Sequence, residues 1–371
     1  MTFPLEPAPS GDPALPAIRL SDPGELISSL PALLGFRPER SFVVLTLGPG
    51  SGLGIVMRYD LDVDPAAPGR LSRATVHTLA RFAEVAADHD ARGVVVVVVD
   101  DRAGCARFPG DTPVSDPGPL QLTAEAMVAA FETMLDPEAI DVCDAFVTPG
   151  VHAGSPWHSV FDPARRGSQP DPAGSRVAVA RVVGGYAIHG SRDELEALVA
   201  PADVSVVEQV RLHIAARTHT AVDPAAALRA LVERIAAESG SPSAEDCATT
   251  VVALRDRRVR DAVVALAVGT LASHAERYWL EATRLAPAAE RADVAALAGF
   301  SAYVRGDGPL AGVAFSAALD ADPGHRLAGL LDASLRHALR PDAVAGLADV
   351  GFDVARRLGV ALPPPRARAA T

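Results

Sequence analysis

The sequence predicts two parts: an α/β unit with a three-layer, mainly parallel sheet and an N-terminal β-hairpin, then an all-α, tetratricopeptide-like helical unit. Three observations carry this. Gly93 is followed by six consecutive valines and Asp100-Asp101, and unbroken β-branched apolarity of that length marks a strand buried on both faces. Strand-like and helix-like segments alternate on either side of it, as crossovers in an α/β sheet require. Beyond Ser191 the strand signals stop, and Pro201, Pro224, Pro242, Pro287, Pro309, Pro323 and Pro341 punctuate apolar-periodic segments. The expected boundaries are a disordered tail over 1–17, the α/β unit over 18–190, the helical unit over 191–358 and a disordered Pro/Arg tail over 359–371.

Taken in order, Ser21 or Asp22 caps a first helix with Pro23 in its first turn. Leu26, Ile27, Leu30, Leu33 and Leu34 share one face, and Gly35 ends the helix. Residues 42–47 and 53–59 read as strands, and the glycine-rich link over 48–52 makes them an antiparallel hairpin. A helix over 70–91 repeats apolar residues at helical spacing, among them Leu79, Phe82 and Ala86. After the valine strand, a helix over 120–135 leads into a partly alternating strand over 139–147. Residues 148–174, rich in Pro and Gly, form a break containing Trp157. For 175–183 strand and helix both fit. Helix is preferred, because Ser175 can cap it and Gly184-Gly185 can end it.

The helical part contains an internal repeat. Ala275, Trp279, Ala282 and Pro287 recur 36 residues later as Ala311, Phe315, Ala318 and Pro323. Small–large–small spacing at i, i+4, i+7 puts three contacts on one helix face, as in the second helix of a tetratricopeptide repeat. Gly299 supplies a tight packing point and Gly306-Asp307-Gly308 a turn. Trp279, Phe315 and Tyr303 are the candidate interaction face.

Composition narrows the function classes. Of 371 residues, 49% are hydrophobic and 22% charged, which excludes general disorder. A formal net charge of −12, with no lysine anywhere, repels a phosphate backbone, so no nucleic-acid partner is expected. Cys105, Cys143 and Cys247 lie far apart with no C-x-x-C pair, which predicts neither a disulfide framework nor a zinc site and suits the cytoplasm. The start of the chain has no basic region or apolar core of a signal peptide, and the longest apolar run, 94–99, is too short to span a bilayer; no membrane association is expected.

Several stretches together resemble an actinobacterial family of domains of unknown function, numbered 4192. They are Ile18-Arg19-Leu20-Ser21-Asp22-Pro23-Gly24-Glu25-Leu26, then Pro31-Ala32-Leu33-Leu34-Gly35-Phe36-Arg37-Pro38-Glu39-Arg40-Ser41, then Ser191-Arg192-Asp193-Glu194-Leu195, and Ala302-Tyr303-Val304-Arg305-Gly306-Asp307-Gly308. The resemblance implies cysteines near Asp162-Pro163. Ala164-Arg165-Arg166 stands there instead, so no metal or redox role is carried over. It implies no activity or catalytic residue.

Among chemistry-bearing candidates, the glycines over 48–54 lack a following helix and a Gly-Lys-Ser/Thr, so they read as a hairpin turn and not a phosphate loop. Asp60, Asp62, Asp64, Asp100 and Asp101 follow strands, where carboxylates can hold Mg²⁺ or act as bases; Asp is also an ordinary strand-ending residue. His152 and His158 flank Trp157 and can act as bases or ligands, while Trp157 itself reads as a packing plug. Asp60 and Asp100 are the metal candidates; Asp100, Asp101, His152 and His158 the catalytic ones. Arg255, Arg257, Arg258 and Arg260 alternate with acids and read as i,i+4 pairs on a solvated face; His213 and His219 read as structural. The leading reading is a cytosolic, non-enzymatic protein without cofactor, whose helical unit binds a protein partner or itself. The alternative is a nucleotide- or metal-dependent hydrolase with acids at its strand ends.

Overall fold

Six valines in a row have no polar face to offer, and the segment lies where none is needed. In the computed structural model, which describes residues 2–3, 18–19, 22–48, 52–62, 64, 66–102, 119–162, 164–217, 223–237 and 241–364, Gly93–Val99 is an interior strand buried along its whole length. The chain divides into two compact units, Met1–Arg192 and Asp193–Thr371.

In the first unit, β1 (Thr2–Phe3) pairs antiparallel with β2 (Ile18–Arg19). The expectation of a structureless 1–17 meets that pairing at one end, and 4–17 lie outside the described residues. The main sheet has the order β4-β3-β5-β6-β7-β8. Its strands are β3 (Ser41–Leu47), β4 (Leu53–Asp60), β5 (Gly93–Val99), β6 (Asp141–Thr148), β7 (Pro156–Ser159) and β8 (Arg166–Ser168).

The hairpin forms as expected, with β3 and β4 antiparallel. The mainly parallel sheet does not. β5 runs antiparallel to β3 and parallel to β6, and both remaining pairings are antiparallel, so the sheet is mixed. Periodicity shows which strands a helix joins, not what slips between them. Helices α3 (Arg73–Asp88) and α4 (Pro119–Leu135) join strands of like direction, β4 to β5 and β5 to β6, but β3 sits between β4 and β5. The expected break over 148–174 is a second correction: it holds β7 and β8, which extend the sheet beyond β6. Strands of four and three residues are too short to show alternation among prolines and glycines.

Helices cover both faces. On one, Phe131 of α4 meets Phe42 edge-on at 6.1 Å and Thr75 of α3 reaches the Tyr59 hydroxyl. On the other lie α1 (Pro23–Ser28), α2 (Leu30–Leu34) and α5 (Arg176–Val183). The single helix expected over 21–35 is broken at Ser29. Pro31 lacks the N–H a continuous helix would need, and the Ser28 and Ser29 hydroxyls both donate to the Glu25 carbonyl. Gly35, at φ 76°, closes α2. Ser175 caps α5 through the Ala178 N–H, as its sequence indicates.

After α6 (Arg192–Ala197), the second unit contains α7 (Val204–Arg217), α8 (Pro224–Ala236), α9 (Ala244–Leu254), α10 (Arg257–Val263), α11 (Ala272–Leu285), α12 (Ala288–Arg305), α13 (Gly308–Ala321), α14 (Arg326–Arg336), α15 (Pro341–Ala345) and α16 (Leu347–Arg357). No strand occurs here among the described residues, and no helix is long and apolar enough to cross a membrane. The repeat motifs fall on α11 and α13, and both helices pack on α12. Trp279, Phe315 and Tyr303 are each at most 2% exposed. The proposed interaction face is therefore corrected: the chain's own helices cover it, because side chains this large bury best against their nearest neighbours in sequence.

Candidate functional site

The ladder brings the predicted acids to one end of the sheet. Ser41 lies opposite both Asp60 and Val99, and Val99 opposite Thr148. Asp100 adds one further rung, its N–H donating to the Thr148 carbonyl at 2.9 Å.

Each acid there faces a guanidinium. Asp100 is fully buried; Arg102 donates to it from its backbone N–H at 2.9 Å and forks onto both oxygens at 2.8 and 2.5 Å. This Asx-type turn ends the strand, and the paired charge lets the carboxylate be buried. Asp101 accepts a bidentate pair from Arg40 at 2.8 and 3.1 Å, and the hydrogen bond from Arg40 holds its carboxyl below the ordinary range. Asp60 pairs with Arg58, which also donates to Ser41 Oγ at 2.8 Å, and lies 4.0 Å from Arg192. A divalent cation needs carboxylates with open lone pairs, and no group of three or more His, Cys, Asp or Glu among the described residues could hold one. Asp64 accepts from the Ala66 N–H.

The histidines do not join this cluster. His158 sits on β7 opposite Val147, with Nε2 3.1 Å from Gln121 of α4. Burial depresses its pKa, against the pull of Glu125, so it stays neutral at pH 7. His152 is exposed, in the turn before β7, with Nδ1 against the Ala153 carbonyl. Of the described cysteines, burial raises the Cys143 thiol and pushes Cys247 up to about 12, which disfavours the thiolate at both. Cys105 lies outside the described residues.

Sequence reading missed a polar network on the opposite face of β6–β8. Gln169 Nε2 donates to Thr148 Oγ1 at 2.7 Å and to the Gly150 carbonyl at 2.9 Å. Asp144 accepts from Ser159 Oγ and pairs with Arg165, whose guanidinium lies over the Phe146 ring. Thr148, Phe146 and Asp144 alternate along β6, so all three share that face; their spacing is visible in the sequence, but the partners come from β7 and from the residues that flank β8, which sequence reading takes as a break. Trp157 does plug the sheet. It is 7% exposed, meets Phe146 edge-on at 5.5 Å and rests on Gly167.

In the helical unit, two of the four arginines of 255–260 reach another helix instead of pairing along their own. Arg255 meets Glu290 at 2.9 Å and Arg260 meets Asp293 at 3.2 Å, while Arg258 caps with Asp256 at 2.8 Å. His219 lies outside the described residues. A groove of about 210 Å³ opens between α8 and α9, with Arg217 and Arg234 beside it.

The family described as Domain of unknown function (DUF4192) matches residues 23–342. No curated protein and no solved structure matches the chain. Since the matched span takes in the whole sheet and the helices through the start of α15, this chain belongs to the DUF4192 family.

Proposed function

We propose that this chain is a cytosolic, non-catalytic binding protein whose tetratricopeptide-like helical unit pairs with a second copy of itself through α16. One observation carries the proposal: the apolar arc of α16 is wider than the strip that the helix buries. Ala348, Gly351 and Ala355 pack inward, so tightly that a Cβ on Gly351 would stand 2.7 Å from the Ala265 backbone nitrogen. Leu347, Val350 and Val354, spaced i, i+3, i+7, continue the same arc beyond that strip: Leu347 is 40% and Val350 54% exposed, and Val354 is half-buried. An exposed apolar edge beside a packed strip is surface for a partner to cover.

The charges beside the stripe favour a second copy as the cover. Asp349 and Asp353 lie toward the helix start, Arg356 and Arg357 at its end. Two such helices packed antiparallel about a two-fold axis set acids against arginines on both sides. The Asp353–Arg356 pair within the helix, at 2.9 Å and exposed, is weak enough to exchange. Against catalysis stand the arginine-held carboxylates at the strand ends.

Sedimentation equilibrium at about 100 μM, a concentration that populates a micromolar dimer, tests this. The wild type is expected to dimerise and Leu347→Glu/Val350→Glu to be monomeric with an unchanged circular dichroism spectrum. A monomeric wild type, or a dimer indifferent to both substitutions, overturns it. The hydrolase alternative predicts a thermal shift with Mg²⁺ or a nucleotide that disappears in Asp100→Ala.

A further inference from the structure

We infer that the groove between α8 and α9 binds a small monocarboxylate with an aromatic or branched apolar body. This stands apart from the dimer reading and uses other residues. The groove exists because facing positions are small. Ala227 and Ala230 on α8 look toward Val252 and Ala253 on α9, and Leu231 closes the floor. Elsewhere in the unit such spaces are filled, as where Phe315 packs directly on Gly299. A cavity of about 150 Å³ with apolar walls stays dry and takes benzene; the volume here, about 210 Å³, leaves room for a ring and one carboxylate.

Besides the apolar residues the wall carries Thr249 and Thr250, whose hydroxyls are engaged by the Glu245 carbonyl and the Tyr278 hydroxyl, and two cations, Arg217 from the last turn of α7 and Arg234 from the last turn of α8. Arg217 donates to the His213 carbonyl at 3.0 Å and to Glu245 at 2.5 Å. Its other N–H groups have no partner among the described residues. Glu245 is 65% exposed, so its hold on Arg217 is readily exchanged for a ligand carboxylate. Asp246 is committed differently: one oxygen takes the Ser243 cap and the other Arg234 Nε at 2.8 Å. That pairing fixes the second guanidinium at the groove. A ligand carboxylate in place of Glu245 on Arg217 keeps the charges balanced, and the walls select its apolar body.

Benzoate, benzyl alcohol and acetate separate the two requirements. Saturation-transfer NMR and thermal midpoints on the full chain are expected to show benzoate binding, with the alcohol and acetate each weaker by about tenfold or more. Arg217→Gln is expected to weaken benzoate by about tenfold and leave benzyl alcohol unchanged. Ala230→Phe, at an exposed rim position that tolerates bulk, is expected to abolish benzoate binding. The inference fails if benzoate does not bind, if it binds no better than benzyl alcohol or acetate, or if Ala230→Phe leaves its binding intact.

Discussion

Gly299 sits in the middle of α12, where glycine costs a helix about 0.8–1 kcal/mol relative to alanine. Helix propensity alone therefore predicts that Gly299→Ala stabilises the protein. Packing predicts the reverse. A Cβ at this position would lie 2.4 Å from Phe315 Cε1 and 2.5 Å from Cδ1, whereas ordinary contacts begin near 3.4 Å. Relief requires a separation of about 1 Å, and overpacking of this kind costs about 1–3 kcal/mol. The ring has nowhere to go: Phe315 is fully buried, and Tyr303 lies edge-on at 6.3 Å, tied by its hydroxyl to the Leu339 carbonyl. The upper part of the packing range applies, so Gly299→Ala is expected to lose about 1–2 kcal/mol net. Urea unfolding followed by far-UV circular dichroism measures it. In a Phe315→Leu background the same substitution is expected to become neutral or stabilising, since the clashing ring edge is gone. A Gly299→Ala protein at least as stable as the wild type would refute the reasoning.

Three further outcomes follow from the geometry. Burial depresses the His158 pKa, so the unfolded chain binds a proton first as pH falls; stability is expected to decline below about pH 6.5, and His158→Gln to flatten that decline in urea titrations at pH 7 and 5.5. For Asp293, burial works to raise the pKa, but the hydrogen bond from His325 and the charge of Arg260 outweigh it and leave it lowered. Its contribution is therefore present above about pH 4 and lost as pH falls through the lower folded value, so Asp293→Asn is expected to show a shallower acid limb in thermal melts. Asp100→Asn keeps the shape but weakens the fork to Arg102, and is expected to cost about 1–3 kcal/mol in urea unfolding; no loss would mean the pair does not anchor the end of β5.

The polyvaline strand, the hairpin and α5 with its Ser175 cap were legible because their signals are local. So was the switch to helices after Ser191. The interruption at Ser29 was equally local, resting on Pro31, and went unread because the apolar face continues through it. The candidate site was legible only as a set of acids. Arg102 is two residues from Asp100, but Arg40 reaches Asp101 across 61 positions, and nothing in either neighbourhood marks the pairing. Whether a carboxylate is an open ligand or a held counter-ion depends on such distant partners.

The chain's own residues determined where elements begin and end, since caps, prolines, glycines and apolar spacing act within a few positions. Strand order was decided by tertiary structure. β3 enters between β4 and β5, and β7 and β8 extend the edge, because hydrogen bonds across a sheet join segments whose separation leaves no mark on either one. The same holds for the Ala–aromatic–Ala faces: spacing made them apolar, but only the packing of α12 against α11 and α13 settled that they are core and not surface.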